Sequence, residues 1–217
     1  MTTVDEYTKK IEKSKIEFAD YYKYCNQTKL DKLKERSREL HNFKFLCVNT
    51  SCFGGGVAET LATAIPFFNS LGINSSWKVL DGGKDFFKIT KRMHDSLQGI
   101  ANKFSDSELK LYEKLNKKFA ETISRDYDMI EVNDFQLIPF AFYSSIKGNI
   151  FWRSHLDTSE PQSSLVKYYT NFLKYYNAHL FTHEKYIFTD KSIQCYQILP
   201  TIDPLRPKIV STLRKKL

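Results

Sequence analysis

FKFLCVNTSCFGGGVAETLATAIPFFNSLG, residues 43–72, reads as strand, turn and helix in succession. Residues 43–48 are a short apolar run of strand formers, and the polar residues from Asn49 end it. Three glycines follow (Gly54, Gly55 and Gly56). From Val57 onward Leu61, Ile65, Phe68 and Leu71 recur at three- and four-residue intervals, which predicts a helix with one buried face. Gly72 is its stop, because a helix commonly closes on a residue in the left-handed conformation.

Outward from this unit the same alternation continues. Upstream, residues 5–24 and 29–40 read as amphipathic helices, with Ile11, Ile16, Phe18 and Leu30, Leu33, Leu40 at helical spacings. Downstream, a strand is expected over 73–80, a turn at Asp81–Gly83, and helices over 85–98 and 106–125. Strands follow at 129–132, 149–153, 179–182 and 194–199, with helices at 135–143 and 165–176. Strands alternating with helices imply an α/β fold, a Rossmann-like doubly wound and mostly parallel sheet of about six or more strands. Residues 43–217 form this domain, and residues 1–42 form a helical extension packed on its outside.

Composition narrows the function classes. The chain has 217 residues, 41% of them hydrophobic, with 17 Phe and 13 Tyr, enough to pack a core and to exclude a disordered chain. No apolar run approaches the roughly 20 residues a bilayer span needs, and the charged first residues hold no secretory core. The cysteines (Cys25, Cys47, Cys52 and Cys195) lack paired spacing and read as reduced, mostly buried thiols, which places the chain in the cytoplasm. The net charge is +8, but the lysines are interleaved with acids. The one purely basic cluster is Arg214–Lys216, so nucleic acid is not an expected partner. The histidines show no metal-ligand spacing, and no metal or cofactor is expected.

Three segments carry polar groups at the carboxyl ends of predicted strands, where open α/β sheets place ligands. The first is NTSCFGGGVAE, residues 49–59. Its glycines let backbone N–H groups approach an anion at a helix N-terminus, or they simply make a tight strand-to-helix turn. It is neither a dinucleotide nor an ATP fingerprint. The second is VNDFQL, residues 132–137, in which Asp134 accepts a sugar hydroxyl or caps the following helix. The third is FWRSHLD, residues 151–157, where His155 is a site residue or a satisfied structural group, with Arg153 and Asp157 beside it.

In order and spacing these segments resemble the start of the trehalose synthases that join nucleotide-activated glucose to glucose, and of the retaining trehalose phosphorylases. VNTSCFGGGVAETLATAIPFFNSLGINSSWKVLDGGKDFFKITKRMHDSLQG, VNDFQL, FWRSHLDTSEPQ and LPTIDPLRPK carry the resemblance across roughly residues 43–208. It implies a GT-B architecture of two Rossmann-like domains, of which this chain is the acceptor-side one. Gly54, Gly55, Gly56 and Glu59 would then border the donor phosphates. Asp134 would meet the acceptor hydroxyls, and His155 would lie beside the donor glucose with its carbonyl facing the anomeric carbon. Arg153 and Asp157 would be positioning groups. Asn133 stands where the family usually has His, Phe135 where it has Pro, and Ser154 where it has Cys.

The partners implied are glucose or another sugar acceptor and a nucleotide-sugar or glucose 1-phosphate donor. The donor would be held by a C-terminal donor-binding domain, expected to be missing here. A partner polypeptide would supply that half, and the interdomain face left exposed would favour pairing with it or a homo-oligomer; the chain alone is expected to be inactive. The alternative is a non-catalytic sugar-binding or assembly subunit on the same domain.

Overall fold

The computed structural model describes residues 3–189 and 192–206; the basic cluster Arg214–Lys216 lies outside them. Six strands form one all-parallel sheet flanked by helices, in the order β2-β1-β3-β4-β5-β6. The elements run α1 (Val4–Glu12), α2 (Gln27–Ser37), β1 (Lys44–Asn49), α3 (Gly56–Ser70), β2 (Asn74–Val79), α4 (Gly83–Leu97), α5 (Asp106–Thr122), β3 (Met129–Asn133), α6 (Phe140–Tyr143), β4 (Asn149–Ser154), α7 (Ser163–Leu173), β5 (Ala178–Phe181) and β6 (Cys195–Gln197). The sheet is built outward from β1 in both directions. Its topological switch point therefore lies between β1 and β3, where doubly wound folds hold their ligands.

The described residues divide into two compact units, one of residues 3–46, 52–78 and 201–206, the other of 47–51, 79–189 and 192–200. In the first, α1 and a 3-10 stretch over Phe18–Lys23 pack through aromatic rings. Tyr7 meets Phe53 at 4.4 Å and Trp77 at 6.2 Å, while Tyr21 meets Phe67 at 4.9 Å. The expected continuous helix over 5–24 is broken after Glu12 because tertiary bonds take over its end. The Glu12 carbonyl accepts from Asn69 Nδ2 (3.1 Å) and its carboxylate from the Trp77 N–H (2.7 Å). Gly72 closes α3 as expected. At φ +85° it donates to Asn69 O, while Ile73 donates to Phe68 O, the paired bonds of a Schellman stop.

The second unit holds a continuous core in which Phe86, Tyr112, Ile130, Val132, Trp152 and Tyr169 are essentially without exposure. Strands β3, β4 and β5 are in parallel register, Val132 opposite Trp152 and Trp152 opposite His179. The helix expected over 135–143 is instead a 3-10 turn (Phe135–Leu137) followed by α6. Pro139 has no N–H to continue a helix, and the Phe135 carbonyl takes the Tyr112 hydroxyl (2.6 Å). The cysteines are free thiols. Cys47 and Cys52 are buried as expected, whereas Cys25 is exposed on the polar approach to α2. Among the described residues no helix is long and apolar enough to cross a membrane.

Candidate functional site

Strands β3 and β4 run side by side, and the residues that leave them meet. Asp134 leaves β3 at φ 65°, ψ 174°, a backbone region that is essentially glycine's alone. Three hydrogen bonds hold it there. Its N–H donates to Arg153 O (2.8 Å), its carbonyl accepts from Trp152 Nε1 (3.0 Å), and its carboxylate Oδ1 accepts from the His155 N–H (3.2 Å). The side chain makes no cap bond to the following turn, so the helix-cap reading of Asp134 is corrected. With φ positive, the carboxylate is directed at the start of the β4 exit rather than forward to the next turn. Its Oδ2 makes no hydrogen bond to a described residue.

His155 is fixed from the opposite side. Its ring Nε2 lies 2.8 Å from Asn133 Oδ1, and Asn133 Nδ2 donates to Val48 O at the end of β1 (3.4 Å) and to Glu131 O (3.4 Å). The chain Val48–Asn133–His155 thus ties β1, β3 and the β4 exit together at the switch point. Burial dominates the electrostatics. It raises the Asp134 carboxyl from its ordinary 3.8 to about 6, against the opposing pull of the His155 N–H and the Arg153 charge. Burial, with the Arg153 cation, lowers the His155 imidazole from 6.5 to about 4. At neutral pH the pair is therefore a mostly ionised carboxylate beside an uncharged imidazole.

The other candidates are engaged elsewhere. Arg153 points to Glu131 (Nη1 to Oε1, 3.5 Å), a largely buried pair, and its Nε has no partner. Asp157 is exposed and folded back on Ser159, whose N–H (3.0 Å) and hydroxyl (2.7 Å) it accepts and which lower its carboxyl. In the other unit Glu59 pairs with Arg206 at 2.8 Å. Gly54 and Gly55 take φ +66° and +85°, which explains their residue type. Gly56 has no positive φ, and a Cβ there would meet nothing within 4 Å. Neither backbone shape nor crowding in the chain requires glycine at 56. Gly55 caps α3 without a side-chain bond.

Two further groups hold the site together. Trp152 lies inside an expected strand, yet its indole N–H fixes the Asp134 carbonyl. Asn133, at the end of β3, carries the imidazole. A polar residue directly before a strand-end acid was the available signal for Asn133. For Trp152 there was none, since its register against Val132 exists only in the sheet.

No group of three or more His, Cys, Asp or Glu that could hold a metal occurs among the described residues. Residues 47–188 match the family described as trehalose synthase, N-terminal domain. The trehalose synthases of Thermococcus litoralis and Pyrococcus furiosus are each 33% identical over 192 residues, 87% of this chain and 47% of theirs. The chain thus spans about half the length of the trehalose synthases it matches. A solved trehalose-6-phosphate synthase superposes with TM-score 0.56 at 15% identity, covering 80% of this chain and 55% of its own. The fold is that of these GT-B glycosyltransferases.

Proposed function

The chain belongs to the trehalose synthase N-terminal domain family of GT-B glycosyltransferases, and from that premise we propose that it is the acceptor-side half of a retaining glucosyltransferase. In this reading glucose is the acceptor, and the donor is a nucleotide-glucose or glucose 1-phosphate. The observation that carries it is Asp134, held in a glycine-only backbone shape with Oδ1 on the His155 N–H and Oδ2 left unengaged. A carboxylate so placed accepts a hydrogen bond from a sugar hydroxyl, and the fixed His155 supplies a neutral polar surface beside the donor sugar. The His155 carbonyl faces the anomeric carbon, where positive charge develops. The bond from that carbon to the departing phosphate oxygen breaks and the bond to the acceptor oxygen forms on the same face. The acceptor's proton passes to the leaving phosphate.

Gly54, Gly55 and Gly56 receive the donor phosphates in this proposal. Their exposure supports it, as does the absence of any internal demand for glycine at 56. Glu59 acts through its pair with Arg206, and Arg153 and Asp157 position their own strand exit. The donor nucleotide is gripped by a second domain beyond these residues, in a longer or a separate chain.

The test is a titration of the purified chain with glucose, followed by NMR shift changes. Saturable binding that perturbs the His155 and Asp134 amides, and that Asp134→Asn weakens at least about tenfold, supports the reading. A titration without saturation, or one indifferent to Asp134→Asn, sinks it. Glucose binding with no transfer in any assembly would favour the non-catalytic sugar-binding subunit.

A further inference from the structure

The ring of His155 has two nitrogens, and the structure accounts for one of them. Nε2 lies 2.8 Å from Asn133 Oδ1. The Asn133 amide is not free to turn round, because its Nδ2 is spent on the carbonyls of Val48 and Glu131 at 3.4 Å each. Its oxygen must therefore be the atom facing the imidazole, and an oxygen can only accept. Nε2 must then carry the hydrogen, and a neutral imidazole with Nε2–H has a lone pair on Nδ1. Nδ1 makes no hydrogen bond to a described residue. Asn133 itself is 1% exposed and cannot reach a ligand directly without moving.

We infer that Asn133 is a positioning residue that holds His155 in the Nε2–H tautomer, so that Nδ1 is presented as a hydrogen-bond acceptor for a sugar hydroxyl. The step from tautomer to sugar contact rests on the function proposed above; the tautomer itself does not. A histidine at position 133 could offer either a donor or an acceptor and would leave the choice open, whereas the amide anchored on two backbone carbonyls closes it. The charged groups around the imidazole are few. Arg153 acts on it as a cation and is itself paired with Glu131, and the Asp134 carboxylate engages the His155 backbone N–H rather than the ring. Neither acidic group takes the ring N–H, so the tautomer depends on Asn133.

The experiment is a long-range proton–nitrogen NMR spectrum of the full chain labelled with 15N-histidine, which distinguishes a protonated from an unprotonated ring nitrogen. In the wild type at neutral pH, Nε2 of His155 should be protonated and Nδ1 unprotonated, with a midpoint well below the ordinary histidine value. Asn133→Asp keeps an acceptor of the same shape but adds a negative charge, so the tautomer should persist while the midpoint rises by about one unit or more. Asn133→Ala should give a mixture of tautomers. Adding glucose 1-phosphate, which carries the donor sugar, or glucose should shift the wild-type Nδ1 resonance selectively.

An Nδ1–H tautomer in the wild type would overturn the inference, and so would a folded Asn133→Ala variant whose tautomer and midpoint are unchanged. If Asn133→Ala does not fold, the wild-type spectrum and Asn133→Asp decide. A correct tautomer with no response to either glucose or glucose 1-phosphate defeats the sugar-contact step and leaves the positioning role standing, so the two failures are distinguishable.

Discussion

Asp134 combines a left-handed backbone with a half-buried charge, and each has a measurable cost. A non-glycine residue at φ 65°, ψ 174° costs on the order of 1–3 kcal/mol, offset here by the bonds to Arg153, Trp152 and His155. Asp134→Ala keeps the strain and loses the carboxylate, while Asp134→Gly loses both. The glycine variant should therefore be more stable than the alanine variant by about 1–2 kcal/mol in chemical denaturation, although both lose glucose binding. Equal stabilities would show that the backbone is not strained.

The titrating groups oppose one another. The folded Asp134 carboxyl, raised to about 6, binds a proton more tightly than the unfolded one, so its contribution to stability falls as pH rises from about 4 to about 6. The imidazoles of His155 and His179, lowered to about 4, do the reverse, and their contribution grows between about 4 and 6.5. Asp134→Asn removes the opposing slope. Between pH 4.5 and 7 the variant should gain more stability than the wild type, by on the order of 1 kcal/mol. A variant whose pH profile parallels the wild type's would contradict the assignment.

At the scale of the element, ends rather than interiors carry the local stability signals. Helix α5 opens with a capping box in which Ser105 Oγ accepts the Glu108 N–H and the Glu108 carboxylate accepts the Ser105 N–H. Ser105→Ala should cost about 1 kcal/mol. Helix α3 closes on Gly72 at φ +85°, where an added Cβ would also come within 3.0 Å of the His41 ring. Gly72→Ala should cost more, about 1–2 kcal/mol. Thermal melts of the two variants check the order, and a smaller loss at Gly72 than at Ser105 would refute it. Strand β4 is different, because its Trp152 serves the neighbouring element. Trp152→Phe keeps an aromatic side chain in the core but loses the indole N–H that holds the Asp134 carbonyl, so glucose affinity should fall in a variant that still folds, read by titration beside a thermal melt.

At the scale of the whole molecule, a transferase must hold donor and acceptor in register, since only interactions made in the transition state accelerate the chemistry. In the proposed reading the described residues supply the acceptor side, and the matched trehalose synthases are about twice as long as the matched segment. The chain by itself should show no appreciable transfer from UDP-, ADP- or GDP-glucose to glucose, nor any cleavage of trehalose with phosphate. Supplying the second domain, in cis or in trans, should restore turnover that Asp134→Ala and His155→Ala abolish. Robust turnover by the chain alone would contradict the divided arrangement while leaving the family unchanged.

The α/β class, the place of each strand and the positions of the three polar exits were legible in the sequence. They depend on local patterns: period-3.6 apolar faces, short strand-forming runs, and glycine at the close of α3. Every one of the six strands lies where such a run occurs. What the sequence could not settle was set by partners distant along the chain. The first helix stops at Glu12 because Asn69 and Trp77 claim its polar groups. Asp134 faces the β4 exit instead of capping a turn because Trp152, Arg153 and His155 arrive beside it when β3 and β4 pair. Residue type and spacing announced that an aspartate and a histidine stand at strand ends. Only the sheet, by bringing residues some 20 positions apart within hydrogen-bond distance, determined which atom of each is held and which is left unengaged.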